Sequence, residues 1–127
     1  KATSNICTNS GLMALAWTIH MTLLGQTGFT KLARLNHERA CELADRLSAL
    51  PGVELVTDVF FNEFTLKLSG DAAKIVDALA DKGVLAGVPA SRLYPGKGMD
   101  DLLLVAATET NTPEDFDAFE AALKEVL

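Results

Sequence analysis

The sequence has few cysteines and few histidines, and this limits the covalent and metal chemistry it can carry. Its 127 residues include two cysteines, Cys7 and Cys41, too few for a disulfide framework and without a CxxC spacing. With no signal peptide in view, a reduced, cytoplasmic setting is the simpler expectation. His20 and His37 have neither a second histidine nor a carboxylate cluster at ligand spacing, so no metal site is expected.

The sequence also lacks a basic surplus and a long uninterrupted apolar run. The formal net charge of −6 leaves no basic patch to neutralise a phosphate backbone, which disfavours nucleic-acid binding. The longest apolar stretch, Leu12–Leu24, contains His20 and two threonines and is too short to span a bilayer. Neither a nucleic acid nor a membrane is therefore expected as a partner. Because the chain begins at Lys1 rather than Met, we expect a cut or processed N-terminus.

The first half of the sequence predicts two helices after a polar leader. Residues 1–10 are small and polar, as in a segment that lies close to another surface. A helix is predicted from Gly11 to Leu24, and its apolar residues on nearly every side indicate burial by protein outside this chain. Gly25 and Gly28 predict a break, after which residues 29–49 show the helical period.

The second half predicts short strands followed by single helices. Strands are predicted at 53–55, 59–68, 84–88 and 102–107, with an irregular loop at 89–101. Asn62 is the one polar residue on the apolar side of the second strand. Asp71 and Thr112 are predicted to cap the two helices of this half. The pattern indicates an α+β fold, a small, mainly antiparallel sheet with helices on one face.

Few residues in this sequence point to chemistry by themselves. Cys7 and Cys41 fit small buried or interface positions, while His37 fits a solvated helix face and His20 a hydrogen-bonded interface position. The PGKGMDD stretch at 95–101 lacks the full phosphate-loop pattern and is interpreted as a solvated turn. No catalytic residue is assigned.

Arg92 lies in the long loop between two predicted strands, where functional residues tend to collect. Its guanidinium could hold a carboxylate or contact an interface. A surface salt bridge is the simpler alternative, and the sequence leaves the two open.

Three motifs resemble one enzyme family. The leader ATSNICTN at 2–9 and the following Leu23-Leu24-Gly25 are similar to the alpha subunit of the bacterial glycine dehydrogenase (decarboxylating), the P-protein of the glycine cleavage system. The helix LARLNHERACELAD at 32–45 and the tail DLLLVAATETNT at 101–112 resemble the same family. Ser10 and Gly11 depart from the usual Gln-Ala, so a contact made by that glutamine would be absent.

The resemblance implies a fold and a division of the chain. The family has the fold of type I pyridoxal-phosphate enzymes, and this chain would be the C-terminal part of the alpha subunit. Residues 1–28 would then be a polar leader and an apolar helix that pack on a large domain outside this chain. Residues 29–127 would form the C-terminal α+β small domain.

The resemblance also implies an activity, a cofactor and partners. The whole enzyme, a cytoplasmic heterotetramer, decarboxylates glycine with pyridoxal phosphate and transfers the aminomethyl group to the lipoyl arm of the H-protein. The beta subunit would be the partner that holds most of the cofactor and its Schiff-base lysine. The chain alone would bind no cofactor and be inactive. Substrate or interface contacts would come from five leader residues, Thr3, Ser4, Asn5, Thr8 and Asn9.

Two other interpretations remain at this point. The first is a stand-alone α+β module that binds a ligand or another protein. The second is an independent hydrolase, which would need a nucleophile and base pair that the sequence does not display.

Overall fold

The computed structural model describes the backbone of residues 8–127 and the side chains from Ser10 onward. By its internal contacts the chain divides into two units, Lys1–Arg34 and Leu35–Leu127. Eight elements follow one another along the chain: α1 Thr8–Ser48, β1 Val53–Leu55, β2 Glu63–Leu68, α2 Ala72–Asp81, β3 Val88–Pro89, α3 Ala90–Leu93, β4 Leu102–Ala106 and α4 Pro113–Val126.

The helix α1 contains the break predicted from its glycines, but at one of them only. Gly25 has φ 59° and ψ −179°, a conformation that interrupts the helix and that residues with a side chain rarely adopt. Gly28 is helical and lies against the Leu24 side chain, so the prediction that Gly28 also belongs to the break is wrong. The helix also begins at Thr8 rather than Gly11 and ends at Ser48, just before Pro51.

The second unit contains a four-stranded antiparallel sheet. Its strand order is β1-β2-β4-β3, with a central pairing that places Phe64 opposite Val105 and Leu66 opposite Leu103. Alternate residues along a strand point to the same face, so these four side chains share one face of the sheet, and all four are buried there.

One face of the sheet carries the hydrophobic core. The residues that pack there come from the C-terminal part of α1 and from α2 and α4, and they include Leu47, Leu79, Phe116 and Leu123. On the other face, Glu63 and Lys67 of β2 are exposed. The α+β arrangement expected from the sequence, a small antiparallel sheet with helices on one face, is confirmed.

The predicted helix starts are also confirmed. The Asp71 carboxylate accepts hydrogen bonds from the backbone N–H groups of Ala73 and Lys74. Thr112 Oγ1 accepts from the Asp115 N–H at 3.3 Å, and Asp115 Oδ2 accepts from the Thr112 N–H at 2.8 Å. Both caps satisfy backbone donors that have no partner inside the helix.

Three predicted segments differ in the structure. The predicted strand at 84–88 is reduced to Val88, followed by Pro89, since Leu85 is 94% exposed and residues 84–87 form no ladder. The strand predicted at 59–68 begins only at Glu63, because its partner there, Ala106, is the last residue of β4. The loop predicted at 89–101 contains the short helix α3.

The segment before β3 passes very close to β4. Gly87 has φ +145°, and a Cβ atom built on it would lie 2.1 Å from the Leu104 carbonyl oxygen. Only a glycine fits such an approach. Gly87 therefore permits the chain to reach the edge where β3 pairs with β4.

Candidate functional site

The N-terminal half of α1 presents large apolar side chains to solvent. Every residue from Ser10 to His20 is exposed, Trp17 by 59%, and further along Leu23 is exposed by 81%. Exposed apolar surface of this extent is typical of a region that another protein surface covers.

The leader residues assigned from the resemblance fall mostly outside the described part of the chain. Thr3, Ser4 and Asn5 lie outside the described residues. Thr8 and Asn9 begin α1, but their side chains also lie outside the description. Their assignment as substrate or interface contacts remains a prediction.

Arg92 lies in α3 and forms a salt bridge. Its guanidinium donates a hydrogen bond to Asp77 Oδ1 of α2 at 2.9 Å, and its side chain is 52% exposed. The surface salt bridge considered from the sequence is therefore present. A role for Arg92 in holding a substrate carboxylate or contacting an interface remains a prediction.

A shallow depression on the open face of the sheet is a feature that sequence reasoning missed. Its volume is about 460 Å³, and its lining is mostly apolar, with Val88, Leu93, Leu104, Ala106 and Thr65 among its residues. The signal in the sequence is the run LLLVA of β4, which is apolar at outward as well as inward positions. This face can accept an apolar surface, and Glu63 is the one charged residue in its lining.

His37 joins α1 to the segment before β2. Its Nδ1 lies 2.9 Å from the Phe61 carbonyl oxygen, and its ring stacks on the Phe61 ring with centroids 6.1 Å apart. Because a carbonyl can only accept, Nδ1 must carry the proton and donate it. His37 is exposed as predicted, but it is held by Phe61 rather than by solvent alone. The Cys41 sulfur lies 3.7 Å from Nε2, on the same side of the helix.

Arg46 fixes the packing of α1 on α4 through two carboxylates. Its Nε donates to Glu120 at 2.8 Å and its NH2 group donates to Asp117 at 2.5 Å. These hydrogen bonds raise the pKa of the Arg46 guanidinium above its ordinary value. The two ion pairs thereby connect the C-terminal part of α1 to α4.

A second ion pair gives a testable pKa. Lys82 Nζ donates to Glu125 Oε2 at 2.5 Å, and this hydrogen bond holds the pKa of the Glu125 carboxyl below its ordinary value. A lowered pKa means that the pair stabilises the fold above the ordinary carboxyl pKa and loses that contribution as the pH falls through the folded value.

We expect Lys82→Met to raise the pKa of Glu125 back toward its ordinary value, because the donor that favours the charged form is removed. An NMR titration of the Glu125 side-chain carboxyl carbon measures this directly. Lys74→Met is the matched control, since Lys74 pairs with Asp71 at 3.7 Å and should leave Glu125 unchanged. An unaltered Glu125 titration in Lys82→Met would contradict the assignment.

Two absences hold for the part of the chain that the structure describes. No group of three or more histidine, cysteine or acidic side chains is placed to hold a metal ion. Across residues 8–127, none of the helices has both the length and the apolar content needed to cross a membrane.

Comparison with solved structures defines the class of the domain. A crystal structure of glycine decarboxylase (P-protein) of the glycine cleavage system, in inhibitor-bound form, matches the whole chain with a TM-score of 0.84 and 40% identity, over 28% of its own length. A NifS-like protein from Rickettsia africae matches 76% of the chain with a TM-score of 0.60 and 18% identity, over 29% of its own length, which shows likeness of fold alone. The fold is thus the small α+β domain that these larger chains contain.

The chain belongs to the glycine cleavage system P-protein family, whose model matches residues 1–123. Curated relatives include the probable glycine dehydrogenase (decarboxylating) subunit 1 of Xanthobacter autotrophicus, 68% identical over the whole chain, and that of Azorhizobium caulinodans, 66% identical. The chain spans 28% of the length of each. The family resemblance drawn from the leader, helix and tail motifs is therefore confirmed.

Proposed function

We propose that this chain is the C-terminal part of the alpha subunit of the decarboxylating glycine dehydrogenase. The observation that carries the proposal is the family match over residues 1–123 together with relatives that are named subunit 1 of this enzyme. In this proposal, the assembled enzyme decarboxylates glycine and transfers the aminomethyl group to the lipoyl arm of the H-protein. Its partners are the beta subunit and the H-protein, in a cytoplasmic heterotetramer.

The division of the chain follows from the same proposal. Residues 1–28 are a polar leader and an apolar helix that pack on a large domain, and residues 29–127 are the C-terminal small domain. The exposure of Leu12, Trp17 and Leu23 supports this, because side chains of that size gain stability when protein covers them. The length of the relatives, of which this chain spans 28%, leaves ample polypeptide to provide the cover.

Pyridoxal phosphate is the cofactor of the proposed enzyme, and when bound it would act as the electron sink for the decarboxylation. The described residues do not fit it by themselves. All lysines from Lys31 to Lys124 are exposed, and none lies in an enclosed site where a Schiff-base amine would be desolvated. We therefore assign the cofactor mainly to the beta subunit and propose that this chain alone binds none and is inactive.

The role proposed for this chain is to form the interface and support the active site from its leader. Hydroxyl and amide groups of Thr3, Ser4, Asn5, Thr8 and Asn9 suit hydrogen bonds to substrate, to phosphate or to a partner backbone. Arg92 is a further candidate, since the guanidinium forms its ion pair with Asp77 through one nitrogen and retains other donors.

Exchange of the glycine carboxyl group with labelled bicarbonate tests the proposal. We expect exchange when the full-length alpha subunit is mixed with the beta subunit, and none from the 127-residue chain alone. In the full-length subunit, Asn5→Ala and Thr8→Ala should each lower the exchange rate at least about tenfold, the effect of losing one hydrogen bond to a charged group.

Thr110→Ala is the matched control, because Thr110 bonds only within its own exposed turn. Exchange by the mixed subunits at the wild-type rate in both leader variants, with the complex intact by gel filtration, would remove the leader from the site. Absence of exchange in the wild-type mixture would overturn the proposed function itself.

A further inference from the structure

The charges of this chain are distributed unevenly between its two units. Residues 1–34 contain three basic residues and no aspartate or glutamate. Residues 35–127 contain eight basic and 17 acidic residues, a formal net charge of −9. The region that is free of acidic residues also exposes large apolar side chains, among them Trp17 and Leu23.

Two cations of this region line one depression on the helix. Lys31 and Arg34 border a space of about 290 Å³ together with Gln26, Thr27 and Thr30. Both cations are exposed, and neither forms an ion pair within the described part of the chain. The depression therefore offers positive charge without its own counter-charge, next to hydroxyl and amide groups.

The side chains that precede this depression identify the kind of partner. At 100° per residue, Leu12 and Leu15 lie on one side of the helix and Met13 and Trp17 on another side about 150° away, and all four are more than half exposed. A helix with apolar residues on two such widely separated sides is covered by protein from more than one side, whereas a helix lying on a membrane buries a single apolar side.

The charge argues against a membrane as well. Recognition of anionic lipid uses clusters of about four to eight basic residues, and the described part of this helix offers two before Arg39. The net charge of −6 on the whole chain would also repel an anionic surface. A protein surface that combines apolar groups with carboxylates satisfies both features of the helix.

We propose that residues 10–34 dock into a protein groove that is apolar along its floor and acidic at the end that receives Lys31 and Arg34. The occupant is the large domain of the same alpha subunit, and at least two of its carboxylates pair with these cations. The inference rests on the proposed function and adds the chemistry of the covering surface. Charge of this sign on the groove selects the helix and sets its register.

A water-soluble carbodiimide tests the pairing, because it joins an amine directly to a carboxylate in contact with it. In the assembled enzyme, we expect Lys31 to be joined to an aspartate or glutamate outside residues 1–127, as identified by peptide mass spectrometry. The internal standard is Lys82 with Glu125, whose charged atoms lie 2.5 Å apart. Formation of that standard without any external link from Lys31 would overturn the inference.

Charge reversal gives a second, independent measurement. We expect Lys31→Glu/Arg34→Glu to lower the urea midpoint of the full-length alpha subunit at low salt, with a smaller shift at 500 mM NaCl. Lys97→Glu/Lys124→Glu is the matched control, because it makes the same change of charge at exposed lysines outside residues 1–34. An equal loss of stability in both variants, or no loss in the first, would contradict the docking.

The outcomes separate this inference from the proposed function. Glycine exchange by the wild-type enzyme with no external link from Lys31 overturns the docking alone. An external link in an assembly that shows no exchange overturns the proposed function alone, and so does failure of the wild-type subunits to assemble. Sedimentation of the chain with phosphatidylserine vesicles, reversed by Lys31→Glu/Arg34→Glu, would identify a membrane instead and overturn the protein groove.

Discussion

Gly87→Ala is expected to destabilise the second unit by about 4 kcal/mol or to prevent its folding. The added Cβ would lie 2.1 Å from the Leu104 carbonyl oxygen, far inside contact distance, and that oxygen belongs to the backbone of β4. The chain at Gly87 must therefore move away from β4, and the pairing of β3 with β4 is lost with it. The φ of +145° adds backbone strain to the clash.

Urea unfolding followed by far-UV circular dichroism measures this loss. Gly96→Ala is the matched control, because Gly96 also has a positive φ, +72°, but nothing within 4 Å of its Cβ position. It should cost about 1 kcal/mol, the strain of the left-handed conformation alone. If the two variants unfold at the same urea concentration, the close approach of Gly87 to β4 makes no measurable difference to the free energy of unfolding.

Phe116→Ala is expected to cost about 4 kcal/mol of unfolding free energy. Phe116 of α4 is 1% exposed and lies in the core, so its removal leaves a cavity as well as lost burial. The Arg39 guanidinium carbon lies 5.9 Å from the centre of its ring, and Arg39 Nε is buried without a hydrogen-bond partner. The face of the Phe116 ring therefore provides a favourable contact for the Arg39 guanidinium.

Phe116→Leu separates the ring from the volume it fills. It retains much of the apolar volume and should cost about 2 kcal/mol, from the smaller cavity and the lost contact with Arg39. The same urea titration measures both variants. A Phe116→Ala protein within 1 kcal/mol of the wild type would show that α4 is not packed against α1 as the structure has it.

The parts of the fold that depend on neighbouring residues were predictable from the sequence. Asp71 and Thr112 cap their helices because each supplies an oxygen to an N–H group two or three residues ahead. The alternation of Phe64, Leu66 and Leu68 gave the buried face of β2 for the same reason, since side-chain direction has a period of two in any strand.

The parts that failed depend on distant residues. A strand at 84–88 required a partner along its whole length, but Val88 is the only residue of this segment that pairs with β4. The strand predicted from Val59 lost its first residues to a contact 24 positions away in the sequence, where the Phe61 carbonyl accepts from His37. Propensity and alternation carry no information on such contacts.

The family to which the candidate site belongs was predictable from the sequence, but the geometry of the site was much less so. The leader motif ATSNICTN indicated the family, and the family resemblance in turn led to the interpretation of Thr3, Ser4 and Asn5 as substrate or interface contacts. Their partners belong to polypeptide that this chain does not include in the proposed assembly, so no local pattern encodes their arrangement. The loop that carries Arg92 was predictable from the sequence, while its ion pair with Asp77 required the fold to bring α3 beside α2.

The two outer strands of the sheet are unusually short, and this shapes how the domain behaves at high concentration. β1 has three residues and β3 has two, one of which, Pro89, carries no N–H group to offer a neighbouring chain. Fibrous aggregates grow when a strand of one molecule pairs with the edge strand of the next. Neither edge of this sheet offers more than a few backbone groups for such pairing. Self-association of this chain in solution should instead proceed through its uncovered apolar surfaces, and mild detergent should reverse it.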